Sequence, residues 1–195
     1  MTKKILITGA NGQLGHEMRN ALKGNNRFEC IFTDVAELDI CNAEAVKQTI
    51  ADNHIDYIVN CAAYTQVDKA EDNTELCRKI NTDAVENLAR AAADYGARMI
   101  HICTDYVFNG RGYRPYTEDM VPDPQSVYGS TKLEGEKILT DICPESIIIR
   151  TAWLYSPYGN NFVKTMLHLG EEREELSVVA DQIGTPTCAA DLAQE

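Results

Sequence analysis

Tyr128 and Lys132 are the residue pair whose spacing most directly suggests chemistry. They are four residues apart in a segment that predicts a helix beginning near Ser126, so both project from one side of that helix. A neighbouring ammonium stabilises a phenolate and lowers the tyrosine pKa from about 10 towards neutral pH. Tyr128 would then donate a proton to a carbonyl oxygen, which the hydroxyl of Thr104 could also hydrogen-bond. The sequence therefore predicts a catalytic trio of Thr104, Tyr128 and Lys132, with an incidental helix-start pair as the alternative.

A glycine-rich turn near the N-terminus predicts a site for a dinucleotide. Gly9, Gly12 and Gly15 follow a short apolar run at a spacing of three residues. The first glycine permits a sharp turn out of a strand, the second leaves room for a pyrophosphate, and the third lets a helix pack closely on the sheet. Leu14 and Met18 lie on one face of the segment that follows, so the turn opens an amphipathic helix whose free N–H groups face an anion.

The remaining elements must position these two groups. β-like runs alternate with helical patterns, which predicts an α/β fold of Rossmann-like type: a doubly wound parallel sheet with helices on both faces. Asp34 ends the second predicted strand, Phe28 to Thr33, where a carboxylate can accept hydrogen bonds from ribose hydroxyls. A solvated carboxylate at a strand end is the alternative for Asp34. Small residues after the third predicted strand suit close passage of a ligand, and Asn109 to Gln125 predicts a surface loop.

Composition limits the classes of partner. The chain of 195 residues has a formal net charge of -12, which argues against binding to nucleic acid or to acidic membrane surfaces. Its seven cysteines are scattered, so free thiols in a reducing cytoplasm are expected rather than disulfides or metal ligands. No apolar stretch is long enough to predict a signal peptide or a membrane span.

Taken together, these motifs resemble the extended short-chain dehydrogenase/reductases. The narrower match is to the dTDP-4-dehydrorhamnose reductase branch, through the glycine turn, Asn60 to Thr65, Thr104 to Phe108, Tyr128 to Lys132 and Asp181 to Thr187. This resemblance covers the whole chain. It implies reduction by NAD(P)H of the C4 keto group of dTDP-4-dehydro-L-rhamnose, giving dTDP-L-rhamnose.

The resemblance also implies roles for individual residues. Asn81 would support the site from the central helix, and Lys132 would bind the nicotinamide ribose as well as acting in catalysis. The cofactor would be bound by Gly9, Asn11, Gly12, Gln13, Leu14, Gly15, Asp34, Asp39, Ile40, Ala62, Ala63, Tyr64, Thr65, Tyr128 and Lys132. The deoxysugar would be bound by Thr104, Asp105, Tyr128 and Trp153. From the residues alone, a tryptophan at a strand end such as Trp153 is more often part of the core.

Relatives that dehydrate sugar nucleotides carry a glutamate where Tyr106 stands, so this chain lacks the base for elimination and simple reduction remains. Asp34 would repel a 2′-phosphate and favour NADH, whereas the family admits both cofactors; the preference is therefore left open. Some relatives dimerise around magnesium held by glutamates, one at the position of Glu17. The second position is Ala190 here, next to Asp191, so Mg²⁺ is left open, no metal ligand is assigned, and a homodimer remains an option.

The C-terminal part suggests an incomplete second region. We expect residues 1–155 to form an NAD(P)-binding domain and residues 156–195 to begin a smaller substrate region, with a strand at Leu176 to Ala180. Family members continue further, so a truncated chain is expected. Two alternatives stay open: a regulatory subunit resembling that of methionine adenosyltransferase, which binds a partner enzyme, and an epimerase that retains NAD.

Overall fold

The computed structural model describes residues 2–195 and contains a five-stranded parallel sheet. Its strands are ordered β2-β1-β3-β4-β5. The five strands are β1 (Lys3–Thr8), β2 (Phe28–Thr33), β3 (Tyr57–Asn60), β4 (Arg98–Thr104) and β5 (Ile147–Thr151). The prediction of a doubly wound Rossmann-like sheet is confirmed. Because β1 has β2 on one side and β3 on the other, the strand order reverses between β1 and β3. Ligands of such sheets bind beyond the carboxyl ends of the strands at the position of this reversal.

Helices cover the sheet and connect its strands. They are α1 (Gln13–Ala21), α2 (Ala43–Asn53), α3 (Val67–Asp72), α4 (Thr74–Arg78), α5 (Ala84–Tyr95), α6 (Val127–Ile142), α7 (Phe162–Glu172) and α8 (Ala189–Leu192). A π-helical turn, Lys79–Asp83, joins α4 to α5, and a 3₁₀ turn, Asp105–Val107, follows β4. The sequence pattern did not predict either turn or α3.

Alternating residues of the strands divide the core between the two faces of the sheet. On one face, Leu6 and Ile58 pack in a cluster with Val46 of α2, Leu88 of α5 and Leu139 of α6. The opposite face carries Ile5, Ile7 and Val59, against which α1 contributes Met18. Successive strand residues point to opposite faces, so continuous apolar strands require helices on both sides, as observed.

The C-terminal region differs from the prediction at one element. Residues 176–180 form no strand, so that prediction is wrong; Val178 and Val179 are exposed and have no neighbouring strand to pair with. A second, two-stranded sheet forms instead between β6 (Leu154–Tyr155) and β7 (Thr187–Cys188). The proposed domain boundary after residue 155 stays a prediction.

Two other predictions concern a surface loop and membrane-spanning segments. Residues 109–125 contain neither helix nor strand, which confirms the predicted surface loop. In the described part of the chain, residues 2–195, no helix is both long and apolar enough to cross a membrane.

Candidate active site

A cleft of about 1560 Å³ runs along the carboxyl ends of the five strands. Of the residues predicted to act in catalysis or to bind cofactor or substrate, all but Tyr64 are among the described residues that line this cleft. The predicted residues that do line the cleft are Gly9, Asn11, Gly12, Gln13, Leu14, Gly15, Asp34, Asp39, Ile40, Ala62, Ala63, Thr65, Thr104, Asp105, Tyr128, Lys132 and Trp153. The structure therefore brings the N-terminal turn and the Tyr128–Lys132 pair, more than one hundred positions apart in sequence, into one cavity.

The glycine turn at one end of the cleft has no room for side chains. Gly9 has a φ of +65°, and a Cβ there would lie 2.6 Å from the backbone nitrogen of Ala62. At Gly15, a Cβ would lie 2.4 Å from the carbonyl oxygen of Gly9, so only glycine permits this approach of α1 to the turn. The helix begins directly after Gly12, and its first N–H groups have no partner within the helix. This arrangement fits a pyrophosphate.

Asp34 closes the turn from the end of β2. Its carboxylate accepts hydrogen bonds from the backbone N–H groups of Asn11, at 2.9 Å, and of Val35, at 2.8 Å. These bonds hold the carboxylate at the rim of the cleft, where its remaining lone pairs can accept hydrogen bonds from ribose hydroxyls. The same negative charge would repel a phosphate placed at that point.

Residues beside this rim are held by backbone contacts. The carboxylate of Asp39 accepts a hydrogen bond from the backbone N–H of Cys41 at 2.9 Å, and Ile40 is buried. Opposite them, the segment after β3 is fixed at Tyr64, whose backbone N–H donates to the Asn81 side chain at 2.9 Å while its carbonyl accepts from the Asn81 amide at 3.1 Å. Ala62, Ala63 and Thr65 line the cleft on either side of that anchor.

Asn81 lies in the π-helical turn and is buried. Besides Tyr64, its amide donates to the Thr131 hydroxyl of α6 at 3.4 Å. The helix that carries Tyr128 packs closely here, because a Cβ on Gly135 would lie 2.2 Å from the Asn81 carbonyl oxygen. Asn81 thus connects the loop after β3 to α6, as expected for a residue that supports the site.

Thr104 and Tyr128 form the reacting end of the cleft. Thr104 ends β4; its hydroxyl caps the 3₁₀ turn by accepting from the Tyr106 N–H, and donates to the Asp105 carboxylate at 3.2 Å. Tyr128 occupies the first turn of α6, which Ser126 caps by accepting a hydrogen bond from the Gly129 N–H at 3.1 Å.

Burial raises the pKa of Tyr128 to about 12, and hydrogen bonding with the Thr104 side chain offsets part of this effect. Lys132 is not among the main causes of this shift in the Tyr128 pKa. In this structure the Tyr128 pKa is raised rather than lowered, because desolvation of the phenol outweighs its polar contacts. The effect of Lys132 on this pKa stays a prediction. The phenol stays protonated at neutral pH, as a proton donor requires.

Lys132 is fully buried below the Tyr128 turn. Its Nζ donates to the carbonyl oxygen of Ile102 at 2.6 Å and lies 3.3 Å from Nε2 of His101. Burial lowers the pKa of Lys132, against the raising effects of Cys103 and Glu136. The lysine is therefore hydrogen-bonded to the backbone of β4.

The predicted sugar-binding residues surround this end. Burial raises the pKa of the Asp105 carboxyl despite its hydrogen bond with Thr104. Trp153 has a φ of +49°, a backbone conformation that bulky residues rarely adopt, and its side chain is 43% exposed. The indole lies against Gly184, where a Cβ would be 3.0 Å from the ring. Trp153 therefore lies at the surface of the cleft and outside the core.

Sequence reasoning gave no site role to several residues at this end. Tyr106 packs edge-on against Tyr128, with ring centroids 5.5 Å apart at an interplanar angle of 74°. A Cβ on Gly129 would lie 2.2 Å from the Tyr106 carbonyl oxygen, so the glycine in the sequence between Tyr128 and Lys132 was a usable signal of this contact. His101 carried no such signal, because it lies inside a strand and matches no motif.

The two positions considered for magnesium lie on α1 and α8, helices that contact each other. Among residues 2–195 there is no group of three or more His, Cys, Asp or Glu side chains placed to hold a metal ion. Glu17 is buried in α1 and accepts a hydrogen bond from the Asn20 amide at 3.1 Å. The neighbouring α8 carries Ala190 and Asp191.

Comparison with known proteins decides the family. A sequence model for the family described as RmlD substrate binding domain matches residues 3–195. The chain belongs to this family. It is 48% identical over 193 residues to the dTDP-4-dehydrorhamnose reductase of Escherichia coli K12. The aligned region covers 97% of this chain and 64% of that relative. The chain spans 64% to 65% of the length of two such curated relatives.

Solved structures of relatives share the fold closely. The dTDP-4-dehydrorhamnose reductase of Clostridium acetobutylicum is 52% identical, with a TM-score of 0.95, over 98% of this chain and 68% of that one. The enzyme of the same name from Bacillus anthracis, solved in complex with NADP, is 44% identical, with a TM-score of 0.95, over 99% of this chain and 68% of that one. The family expected from the sequence motifs is confirmed.

Proposed function

We propose that the full-length protein reduces the C4 keto group of dTDP-4-dehydro-L-rhamnose with NAD(P)H and gives dTDP-L-rhamnose. The observation that carries this proposal is the single cleft that joins the glycine turn to Thr104, Tyr128 and Lys132. The names of the relatives at 45% and 48% identity support the substrate. Oxidoreductase chemistry follows from a proton donor beside a cofactor site.

The cofactor would lie with its pyrophosphate at the glycine turn and its adenosine ribose at Asp34. The tight Gly9 bend and the free N–H groups at the start of α1 fit the pyrophosphate. When bound, NAD(P)H supplies a hydride to the carbonyl carbon. The NADP complex of the Bacillus anthracis relative supports NADPH, while the carboxylate of Asp34 favours NADH.

In this mechanism Tyr128 donates its phenolic proton to O4 of the sugar as the hydride arrives at C4. Its raised pKa keeps the proton on the phenol until the alkoxide develops. The Thr104 hydroxyl, at the end of β4, orients the same oxygen. Asp105 and Trp153 contact the deoxysugar at the open side of the cleft, and Lys132 supports the nicotinamide ribose.

Residues 1–155 would form the cofactor domain, and residues 156–195 would begin the substrate region. A cytoplasmic site of reaction, a homodimeric state and the absence of nucleic-acid or membrane partners are further parts of the proposal. The cytoplasmic site rests on the scattered cysteines, and the exclusion of nucleic acid and acidic membranes rests on the net charge of -12. The homodimer rests on the resemblance to relatives that dimerise.

The test is oxidation of NADPH and of NADH by the full-length protein in the presence of dTDP-4-dehydro-L-rhamnose. We expect oxidation that depends on the sugar nucleotide and forms dTDP-L-rhamnose. No oxidation, together with tight binding to a methionine adenosyltransferase, would support the regulatory alternative. Cofactor retained through purification without net oxidation would indicate an epimerase.

A further inference from the structure

A chain of buried polar groups runs beneath the cleft from β1 to α6. The Thr8 hydroxyl donates to Asn60 Oδ1 at 2.7 Å, Asn60 Nδ2 lies 3.0 Å from His101 Nδ1, and His101 Nε2 lies 3.3 Å from Lys132 Nζ. All four side chains are at most 1% exposed. The mechanism proposed above uses only Lys132, so the other three groups need an explanation.

The orientation of the Asn60 amide is determined by the backbone. The N–H of Ala62 donates to the Asn60 side chain at 3.2 Å, and a backbone N–H can only donate. The Asn60 atom facing Ala62 must therefore be the oxygen. A reversed amide would place two donors against each other in a fully buried site, which is costly.

This orientation determines which nitrogen of His101 carries the proton. Asn60 Nδ2 can only donate, so His101 Nδ1 must accept and has no hydrogen. Burial, the largest cause, lowers the pKa of His101 well below 6.5, so the ring is neutral. A neutral imidazole with a bare Nδ1 has its hydrogen on Nε2, the atom that faces Lys132.

The Nε2–H group needs an acceptor, and an ammonium provides none. A neutral amine has one lone pair and two hydrogens. The lone pair of Lys132 would accept from His101, while one of its hydrogens is donated to the Ile102 carbonyl at 2.6 Å. An ammonium at this position would direct a hydrogen at the His101 N–H.

We propose that His101, held in its Nε2–H tautomer by Asn60, is a positioning residue that favours the neutral amine form of Lys132. His101 touches Lys132 from below the cleft and does not line the cavity itself. What Lys132 does in catalysis rests on the proposed function, whereas the hydrogen-bond assignment does not.

Other titratable groups act on the same lysine. Those that favour its charged form are Cys103, Glu136, Cys61 and Cys77. Glu136 is itself paired with Arg150, whose Nε donates to it at 3.1 Å. Burial raises the pKa values of Cys61 and Cys103 to about 12, so both thiols are uncharged at neutral pH and do not compensate an ammonium.

The test uses the ¹⁵N-labelled 195-residue chain and two-bond ¹H–¹⁵N correlation spectra of its imidazoles, which distinguish the two neutral tautomers. The other histidines, His16, His54 and His168, are each replaced by glutamine to identify the His101 signals. We expect the Nε2–H pattern for His101 throughout neutral pH. The Nδ1–H pattern or a doubly protonated ring would overturn the proposal.

Asn60→Asp reverses the chain of donors. A carboxylate only accepts, so His101 would carry its hydrogen on Nδ1, and Nε2 would accept from a Lys132 ammonium. We expect the tautomer pattern to switch and the Lys132 ¹⁵Nζ titration to move up by about one pH unit or more. An unchanged pattern and titration in a folded variant would contradict the proposal. If this variant does not fold, the wild-type spectra decide.

Thr8→Val is the matched control. It removes the hydroxyl at the far end of the chain and leaves the Ala62 N–H to orient Asn60. His101 should therefore retain its Nε2–H pattern, and a switch in this variant would show that Ala62 does not determine the tautomer. Turnover by the full-length protein is measured separately, so loss of the reductase proposal would leave this assignment standing.

Discussion

Tyr128 combines a buried phenol with a partly polar neighbourhood at the mouth of the cleft. Its pKa of about 12 means that reduction would not be limited by loss of its proton at neutral pH. The Thr104 hydroxyl and the Tyr106 ring both interact with the phenol. These contacts suit a group that gives up its proton only to a developing alkoxide.

Tyr128→Phe removes this proton donor and keeps the ring. We expect kcat for reduction to fall by about 10²- to 10⁴-fold, the usual contribution of a general acid, while NADPH affinity changes little. Steady-state kinetics with a fluorescence titration of NADPH would measure both. Retention of more than about a tenth of the activity would remove Tyr128 from its assigned role.

His101 should also make stability depend on pH. Its pKa is well below 6.5 when folded and returns to about 6.5 when unfolded, so the unfolded chain binds the additional proton in the window below pH 6.5. The free energy of unfolding should therefore decrease as the pH falls, by up to about 1.4 kcal/mol per pH unit from this one residue. Urea unfolding between pH 7 and pH 5.5 measures the slope.

The exposed His168 provides the control for this slope. His101→Gln should be less stable at neutral pH but lose part of the acid dependence, whereas His168→Gln should leave both nearly unchanged. Equal slopes in all three proteins would contradict a neutral buried His101.

At the scale of elements, α6 and the π-helical turn pack closely because Gly135 has no side chain. A Cβ on Gly135 would lie 2.2 Å from the Asn81 carbonyl oxygen, so the backbones must separate to admit a methyl group. The same Asn81 accepts a hydrogen bond from the Tyr64 backbone at the cleft. Stability and the shape of the site therefore depend on the same glycine.

Gly135→Ala should lower the free energy of unfolding by about 1–3 kcal/mol, the usual cost of overpacking, despite the better helix propensity of alanine. In the helix α7, a Cβ added to Gly170 would meet no neighbouring atom within 4 Å, so Gly170→Ala should be neutral or stabilise by up to about 1 kcal/mol. Chemical denaturation compares the two, and an equal effect of both changes would refute the packing argument.

Element positions followed from the sequence where local signals were strong. The second strand, Phe28–Thr33, has the predicted bounds, and α6 begins directly after its cap Ser126. The strand expected at residues 176–180 failed because its apolar pattern has no partner strand. Pairing partners are non-local, so a short apolar run does not reveal whether a neighbouring strand exists.

The candidate site also divides into residues with a local sequence signal and residues whose role depends on non-local contacts. The glycine turn, Asp34 and the Tyr128–Lys132 pair could be predicted because each has a fixed spacing with a local physical reason. His101 and Asn60 could not, since their interaction joins two strands across 41 positions. The raised pKa of Tyr128 was not predicted either, because it depends on burial that the sequence does not state.

At the scale of the whole molecule, apolar burial is uneven. Leu139 is fully buried in the main core, whereas α7 has no buried residue and exposes Phe162, Val163 and Leu167. The described chain thus stabilises itself through the main sheet and its helices. The face of α7 contributes little to that core.

Leu139→Ala should therefore destabilise the chain by about 2–5 kcal/mol through loss of burial and the cavity left behind. Leu167→Ala, at a side chain that is 65% exposed, should change stability by less than about 0.5 kcal/mol. Thermal and urea unfolding of both variants would measure the difference. A large loss from Leu167→Ala would mean that α7 is part of the cooperative core.

The central claim is that this cleft transfers a hydride to a sugar carbonyl. Its most direct test is to supply the full-length protein with dTDP-4-dehydro-L-rhamnose and with NADPH or, separately, NADH, each deuterated at C4 of the nicotinamide on one face and then on the other. We predict that deuterium on one of the two faces is transferred and yields dTDP-L-rhamnose carrying deuterium at C4 of the sugar. Product without deuterium from either cofactor, or no product, would contradict the claim.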